Sequence, residues 1–171
     1  RTRIVSSRPC GDGNTTGRTG QWVGEARVGG PGSRGGGPGT VWAMTAETAA
    51  IHATVENYIA HFSNNDRAGY RSLFAEDAWV EDPVGSPKHE GLEAIGAFWD
   101  GSRELAPEIE LRLTKANVCG GEAAFFMEIR PMLGDQAMTM TAIDVMTFDD
   151  DAKITTLRAY FDMAEMRPAD D

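Results

Sequence analysis

Two stretches of the chain place apolar residues at helical spacing. The first stripe comprises Ile51, Val55, Tyr58, Ile59 and Phe62. It predicts an amphipathic helix over residues 46–63, with Thr45 as its N-cap. Residues 64–66, Asn-Asn-Asp, end this helix and can cap a short second helix that reaches Phe74. The second stripe marks a further helix through Leu92, Ile95, Phe98 and Trp99.

Other stretches show the two-residue alternation of half-buried strands. Residues 78–82 read as a short strand that Pro83 ends, and residues 84–90 as a loop rich in breakers. Longer strands are predicted from Ile109 onward and over residues 123–130, 138–148 and 154–161, with Gly-Gly and Gly-Asp turns between them. Helices followed by long antiparallel strands predict an α+β domain whose helices cover one face of a curved sheet, with a pocket between the layers.

Composition divides the 171-residue chain near Met44. Residues 1–43 hold 12 of the 20 glycines and carry six arginines against two acidic residues, a net charge of +4. Since the whole chain carries −10, residues 44–171 carry −14. We expect residues 1–43 to be a disordered leader that precedes the true start at Met44, and residues 44–171 to be the working domain. Its negative charge disfavours nucleic acid and anionic membranes as partners.

Cysteine usage, together with an N-terminal stretch that lacks the uninterrupted apolar segment of a secretory signal, favours a cytoplasmic protein. Cys10 and Cys119 lie in settings too different to suggest a disulfide framework. No apolar run in the sequence approaches the ~18 residues of a membrane span. The three histidines lack a convincing metal-ligand spacing, so we expect no metal.

Asp144 is the most informative single residue. Alternation along residues 138–148 puts it on a face with Met138, Met140, Ala142, Met146 and Phe148. An isolated carboxylate on such a face is costly, so Asp144 should be paired or protonated, and a protonated carboxyl can donate a hydrogen bond. In the alternative interpretation, this face meets solvent and the Thr-rich face forms the core.

Asp82 and Tyr58 share this ambiguity. Asp82 ends its strand on the face of Ala78 and Val80, and the alternative is an ordinary Asp-Pro turn. Tyr58 lies on the apolar stripe of the first helix, where a core tyrosine is the common case. Together with Asp144, they would supply a base and two hydrogen-bond donors in an apolar pocket. That set suits proton abstraction next to a carbonyl of an apolar, neutral substrate.

The residues around Asp82 resemble those of a known enzyme family. The string Val80-Glu81-Asp82-Pro83-Val84-Gly85-Ser86 and the run 73–78 closely resemble the bacterial Δ5-3-ketosteroid isomerases, as does the spacing from Tyr58 to Asp82. The likeness covers nearly all of residues 45–162. It implies a nuclear-transport-factor-2-like (NTF2-like) cone-shaped α+β fold and a homodimer. It also implies a reaction that needs neither metal nor organic cofactor.

The resemblance assigns three roles. Asp82 would move a proton from C4 to C6 of the steroid, Tyr58 would be the phenol of the oxyanion hole, and Asp144 would be its protonated aspartic acid. The residues expected to contact the steroid are Phe74, Val84, Phe98, Trp99, Met127, Met146 and Phe161. Members of the family often have a tyrosine hydrogen-bonded to the oxyanion-hole tyrosine, and the matching position here is Trp99. Phe74 replaces another tyrosine of some members.

Other functions remain open on the sequence alone, because one fold hosts many activities. One alternative is an isomerase or cyclase that acts on another enolisable ring ketone with the same base. Another is a steroid- or lipid-binding module without turnover. An epoxide hydrolase needs a polar cluster that holds water, and no arginine accompanies Asp82 in the sequence.

Overall fold

The computed structural model describes residues 46–170, which form an α+β domain. Helix α1 (Ala46–Ser63) and the short α2 (Arg67–Ser72) lead into strand β1 (Phe74–Glu81). Strand β2 (His89–Glu90) precedes helix α3 (Gly91–Leu105). The long strands are β3 (Ile109–Cys119), β4 (Glu122–Leu133), β5 (Gln136–Phe148) and β6 (Ile154–Tyr160). A 3₁₀ turn (Met163–Glu165) and strand β7 (Arg167–Pro168) follow. The leader proposed for residues 1–43 and the N-cap proposed at Thr45 lie outside the described residues.

The sheet has the order β2-β1-β6-β5-β4-β3, and β7 pairs with β5 outside this path. Strands β3 to β6 form antiparallel neighbours in chain order, as the alternation pattern predicted. The exception is β1, which pairs in parallel with β6 although about 70 residues separate them in the chain. This non-local pairing puts the end of β1, where Asp82 follows, beside the end of β6.

The helices pack on one face of the sheet and close a single core. The bounds predicted for α1 are confirmed, and Ile51, Val55 and Tyr58 are buried on its inner side. Hydrogen bonds tie α1 to the sheet region at two points. Thr54 Oγ1 donates to the carbonyl of Ala152 at 3.0 Å. Ser63 Oγ accepts from the Leu111 amide at 2.9 Å.

Two predicted elements differ from the structure in length. The second helix ends at Ser72, and β1 already begins at Phe74, four residues earlier than the alternation indicated. Asp66 caps α2 as expected, since its carboxylate accepts from the Gly69 amide at 2.9 Å. The pairing of Phe74 with Ile154 of β6 explains the earlier start, because a strand begins where it finds a partner.

Candidate active site

Glu81 and its neighbours fix the position of Asp82 at the end of β1. The Glu81 carboxylate accepts from Arg158 Nε of β6 at 2.8 Å and from the amide of Gly85 at 2.9 Å. The amide of Val84 donates to the carbonyl of Ala159 at 2.8 Å. These bonds hold the turn after β1 against β6, so the Asp82 side chain projects from a fixed strand end. Burial raises the pKa of Asp82 to about 6.

Asp144 is fully buried in the middle of β5. Met140, Ala142 and Met146 share its face and are buried, which confirms that the Met-rich face of this strand points into the core. Burial holds the pKa of Asp144 well above its usual value, and the charge of Asp82 acts in the same direction. Both effects favour the neutral, protonated form of the Asp144 carboxyl. Among the described residues, its Oδ1 has no hydrogen-bond partner.

Tyr58 joins Asp144 to the cavity. Its hydroxyl donates to Asp144 Oδ2 over a long 3.4 Å. Burial, followed by the nearby charge of Asp144, raises the pKa of Tyr58 well above 10, so the phenol keeps its proton at neutral pH. Tyr58 and Asp82 both line the same cavity. Asp144 does not line it; Asp144 lies behind Tyr58 and contacts the Tyr58 hydroxyl, which belongs to the cavity wall.

The cavity that Tyr58 and Asp82 share has a volume of about 440 Å³ and mostly apolar walls. Of the side chains that line it, those of Tyr58, Asp82 and Ser102 are polar. The remaining lining residues are apolar: Phe62, Pro83, Phe98, Leu105, Ala106, Ile109, Leu111, Met127, Ile129, Pro131, Leu133, Met140, Phe161, Met163 and Met166. Such a volume suits a small organic ligand, and such walls suit an apolar one. A second cavity, of about 580 Å³, contains Arg103, Glu108, Glu110 and Arg130 and suits an apolar ligand poorly.

The expected substrate contacts divide into two groups. Phe98, Met127 and Phe161 line the cavity. Phe74, Trp99 and Met146 are buried in the core and do not line it. Val84 is half-buried in the loop after Asp82, and its neighbour Pro83 lines the cavity instead. Spacing along a helix or strand predicts which side chains face inward, but not how deep below the surface each one lies. It could therefore not distinguish residues buried in the core from residues that line the cavity.

Tyr70 is a site residue that the sequence reasoning missed. Its ring is fully buried on α2, with centroids 5.5 Å from that of Tyr58 and 4.6 Å from that of Trp99. Its hydroxyl has no hydrogen bond of normal geometry among the described residues. Burial and the charges of Asp82 and Asp144 raise its pKa well above 10, and the Tyr58 phenol acts in the opposite direction. A lone aromatic residue in a six-residue helix was the signal that could have marked it as inward-facing.

Within residues 46–170, no cluster of three or more His, Cys, Asp or Glu side chains is placed to bind a metal ion. In the same part of the chain, no helix is both long and apolar enough to cross a membrane.

Comparison with known proteins gives the family. The model of the SnoaL-like domain matches residues 55–157. The chain belongs to the SnoaL-like domain family. A curated relative, a steroid Delta-isomerase from Nocardioides simplex, is 34% identical over 119 residues, which cover 70% of this chain and 95% of the relative. The match thus covers nearly the whole length of the isomerase.

Solved structures share the fold of this SnoaL-like domain at lower sequence identity. The epoxide hydrolase/cyclase-like enzyme SalBIII, which has a role in pyran ring formation in the polyether salinomycin, superposes with a TM-score of 0.65 at 20% identity, over 71% of this chain and 97% of the enzyme. An LEH-like epoxide hydrolase from M. tuberculosis gives a TM-score of 0.63 at 20% identity, over 70% of this chain and 88% of the hydrolase. The NTF2-like α+β fold expected from the sequence is therefore confirmed.

Proposed function

We propose that the protein is a steroid Δ-isomerase, which moves the double bond of a 3-oxo-Δ5-steroid into conjugation with the ketone. The observation that carries this proposal is the pairing of a half-buried Asp82 with a protonated Tyr58 in one apolar cavity. The relationship to a steroid Delta-isomerase supports it. The reaction needs a base and donors to the ketone oxygen, and these side chains supply both without a metal or an organic cofactor.

Asp82 alone carries out both proton transfers. Its carboxylate takes a proton from C4, and the C–H electron pair moves into a dienolate whose negative charge lies on the 3-oxygen. The same carboxyl then returns the proton to C6, and the double bond comes to rest between C4 and C5. A pKa of about 6 suits both halves, because the group must accept a proton and then release it near neutral pH.

The donors act in series. Tyr58 lines the cavity and donates a hydrogen bond to the 3-oxygen as negative charge develops there. Asp144, in its protonated form, then donates a hydrogen bond to Tyr58 Oη, which lies 3.4 Å from Oδ2 in the free protein. Tyr70 packs against the Tyr58 ring, and its hydroxyl, which has no hydrogen bond of normal geometry among the described residues, can donate to Tyr58 Oη. Charge that forms on the substrate is thereby stabilised by a chain of buried side chains.

The polarity of the cavity favours this function over an epoxide hydrolase. Hydrolysis of an epoxide requires polar groups that hold and activate a water molecule, and Tyr58, Asp82 and Ser102 are the polar side chains on this wall. No arginine lines the cavity in the described chain. An isomerase or cyclase that acts on another enolisable ring ketone would use the same groups. A binding module without turnover would have little use for a base with a raised pKa.

The deciding experiment follows conversion of a 5-ene-3-ketosteroid by the ultraviolet absorbance of the conjugated product, with no metal or cofactor added. Wild type should convert it rapidly. Asp82→Asn should bind the steroid but lose most of kcat. Asp77→Asn, which changes an exposed acid on β1, the strand that precedes Asp82, should keep its kcat. Steroid binding without turnover by wild type would favour the binding module. Diol formation from an epoxide would favour the hydrolase. The homodimer that the resemblance implies stays a prediction, which sedimentation equilibrium measures directly.

A further inference from the structure

Exposed apolar side chains surround the mouth of the cavity. Leu105 is 82% exposed, Met163 60% and Leu133 42%, and all three also line the cavity. They come from three separate segments: the end of α3, the 3₁₀ turn after β6 and the end of β4. We refer to Leu105, Leu133 and Met163 as the rim. The other large exposed apolar residues of the described chain, Phe126, Ile143 and Tyr160, are cross-strand neighbours and do not line this cavity.

The C-terminal segment holds its part of the rim in place. Asp162 Oδ1 accepts from the amide of Ala164 at 2.9 Å and so caps the 3₁₀ turn that carries Met163. Strand β7 then pairs with Met138 and Thr139 of β5, and the amide of Ala169 donates to the carbonyl of Ala137 at 2.9 Å. A segment held by these bonds presents Met163 to the cavity as part of a formed wall.

Burial falls steeply from the inner part of the cavity to the rim. Tyr58 and Met127 are 3% exposed and Leu111 is 6% exposed, whereas the rim residues are 42–82% exposed. A compact ring system whose ketone reaches Tyr58 fills the inner part. The end of the ligand remote from the ketone then lies at the rim. Exposed apolar groups that continue a binding cavity gain stability when an apolar group covers them.

Resting on the proposed function, we propose that the rim binds an aliphatic substituent at the end of the steroid remote from the ketone. The substrate class would then be 3-oxo-Δ5 sterols that keep their branched hydrocarbon side chain. Leu105, Leu133 and Met163 are aliphatic or thioether groups, which pack well against a flexible hydrocarbon chain. No charged side chain lines this cavity beyond Asp82 at the reacting end.

Charge and shape argue against the other occupants of the rim. Residues 44–171 carry a net charge of −14, which repels an anionic lipid surface. A second protein surface could cover the three rim side chains, but it would leave unfilled the cavity with which they are continuous. A ligand that enters the cavity and ends at the rim fills both.

The test measures binding of two products, so it does not depend on turnover. The full chain is titrated with 4-androstene-3,17-dione, which lacks a side chain, and with cholest-4-en-3-one, which has an eight-carbon one. Both are delivered from the same concentration of methyl-β-cyclodextrin, and tryptophan fluorescence gives each Kd. Leu133→Ser and Met163→Ser test the rim. Ile143→Ser is the matched control, because Ile143 is 41% exposed on a strand but does not line the cavity.

The wild-type protein should bind the side-chain ligand at least about tenfold more tightly. Each rim substitution should reduce this ratio of Kd values by about threefold or more, and Ile143→Ser should leave the ratio in place. Equal affinities in wild type, or a ratio that the rim variants preserve, would overturn the inference and leave the isomerase proposal standing. If the wild-type protein prefers the side-chain ligand but isomerises the 5-ene precursor of neither ligand, the result would support the proposed role of the rim and refute the isomerase proposal. Failure to bind either ligand would overturn both.

Discussion

Replacing Asp82 with asparagine should stabilise the folded protein at neutral pH while it removes activity. Burial raises the pKa of this carboxyl from its ordinary 3.8 to about 6. The folded state therefore holds the Asp82 proton more tightly than the unfolded chain does. This contribution to stability is fully present below pH 3.8 and is lost as the pH rises through about 6.

The size of the effect follows from the same two pKa values. Each tenfold change in proton affinity corresponds to 1.36 kcal/mol, so a rise from 3.8 to about 6 corresponds to roughly 3 kcal/mol. Asparagine has nearly the same shape and carries no charge. Above pH 6 we expect the free energy of unfolding of Asp82→Asn to exceed that of wild type by up to about 3 kcal/mol, and below pH 4 we expect the two to converge.

Urea unfolding of both proteins at a series of pH values from 4 to 8 measures this difference. It should grow between pH 4 and 6 and then stay constant. Asp77→Asn reports the general effect of removing an acidic side chain near this position, since Asp77 is exposed on β1, the strand that precedes Asp82. If Asp82→Asn is less stable than wild type at pH 7, or if the difference in free energy of unfolding does not change with pH, burial does not destabilise the Asp82 carboxylate.

Further predictions concern the rate. For wild type, kcat/KM should fall about tenfold per pH unit below pH 6 and level off above it, because only the carboxylate form of Asp82 accepts a proton; a flat profile from pH 5 to 7 would contradict this. Steady-state assays should show kcat about 10²–10³-fold lower in Tyr58→Phe and in Asp144→Ala, with a smaller loss in Asp144→Asn, which keeps a neutral hydrogen-bonding group; unchanged rates would place the oxyanion hole elsewhere. Tyr70→Phe should lower kcat several-fold yet raise the free energy of unfolding by about 1 kcal/mol, since its buried hydroxyl lacks a normal partner in the free protein; a loss of stability would point to a purely structural hydroxyl. Deletion of residues 1–43 should leave kcat unchanged, and a large loss would show that the leader takes part in catalysis.

Part of the site could be predicted because its signals are local. Periodicity placed Tyr58 on the inner side of α1 and Asp144 on the buried face of β5, and both positions are confirmed. It also predicted an unfavourable environment for an ionised Asp144, which agrees with its raised pKa. The cost of burying a charge depends on the immediate surroundings of that charge, and alternation along one strand reveals those surroundings.

Other parts of the site depend on contacts between residues far apart in the chain. The resemblance places Trp99 where family members often have a tyrosine hydrogen-bonded to the oxyanion-hole tyrosine. In the structure, Trp99 packs against the rings of Phe62 and Tyr70 in the core. Tyr70, from α2, is the phenol that lies against Tyr58. Periodicity does not report the distance between two rings on different helices, because packing sets that distance.

The sequence by itself determined the helices, the long strands, the inward faces and the strongly negative domain, because each follows from side-chain chemistry within a few neighbouring residues. Tertiary structure alone decided that β1 lies parallel to β6, which fixes Asp82 at the cavity, and that Asp144 sits behind Tyr58. It also decided which inward side chains fill the core and which line the cavity. These features arise when elements distant in the chain pack together, since depth below the surface is a property of the assembled layers.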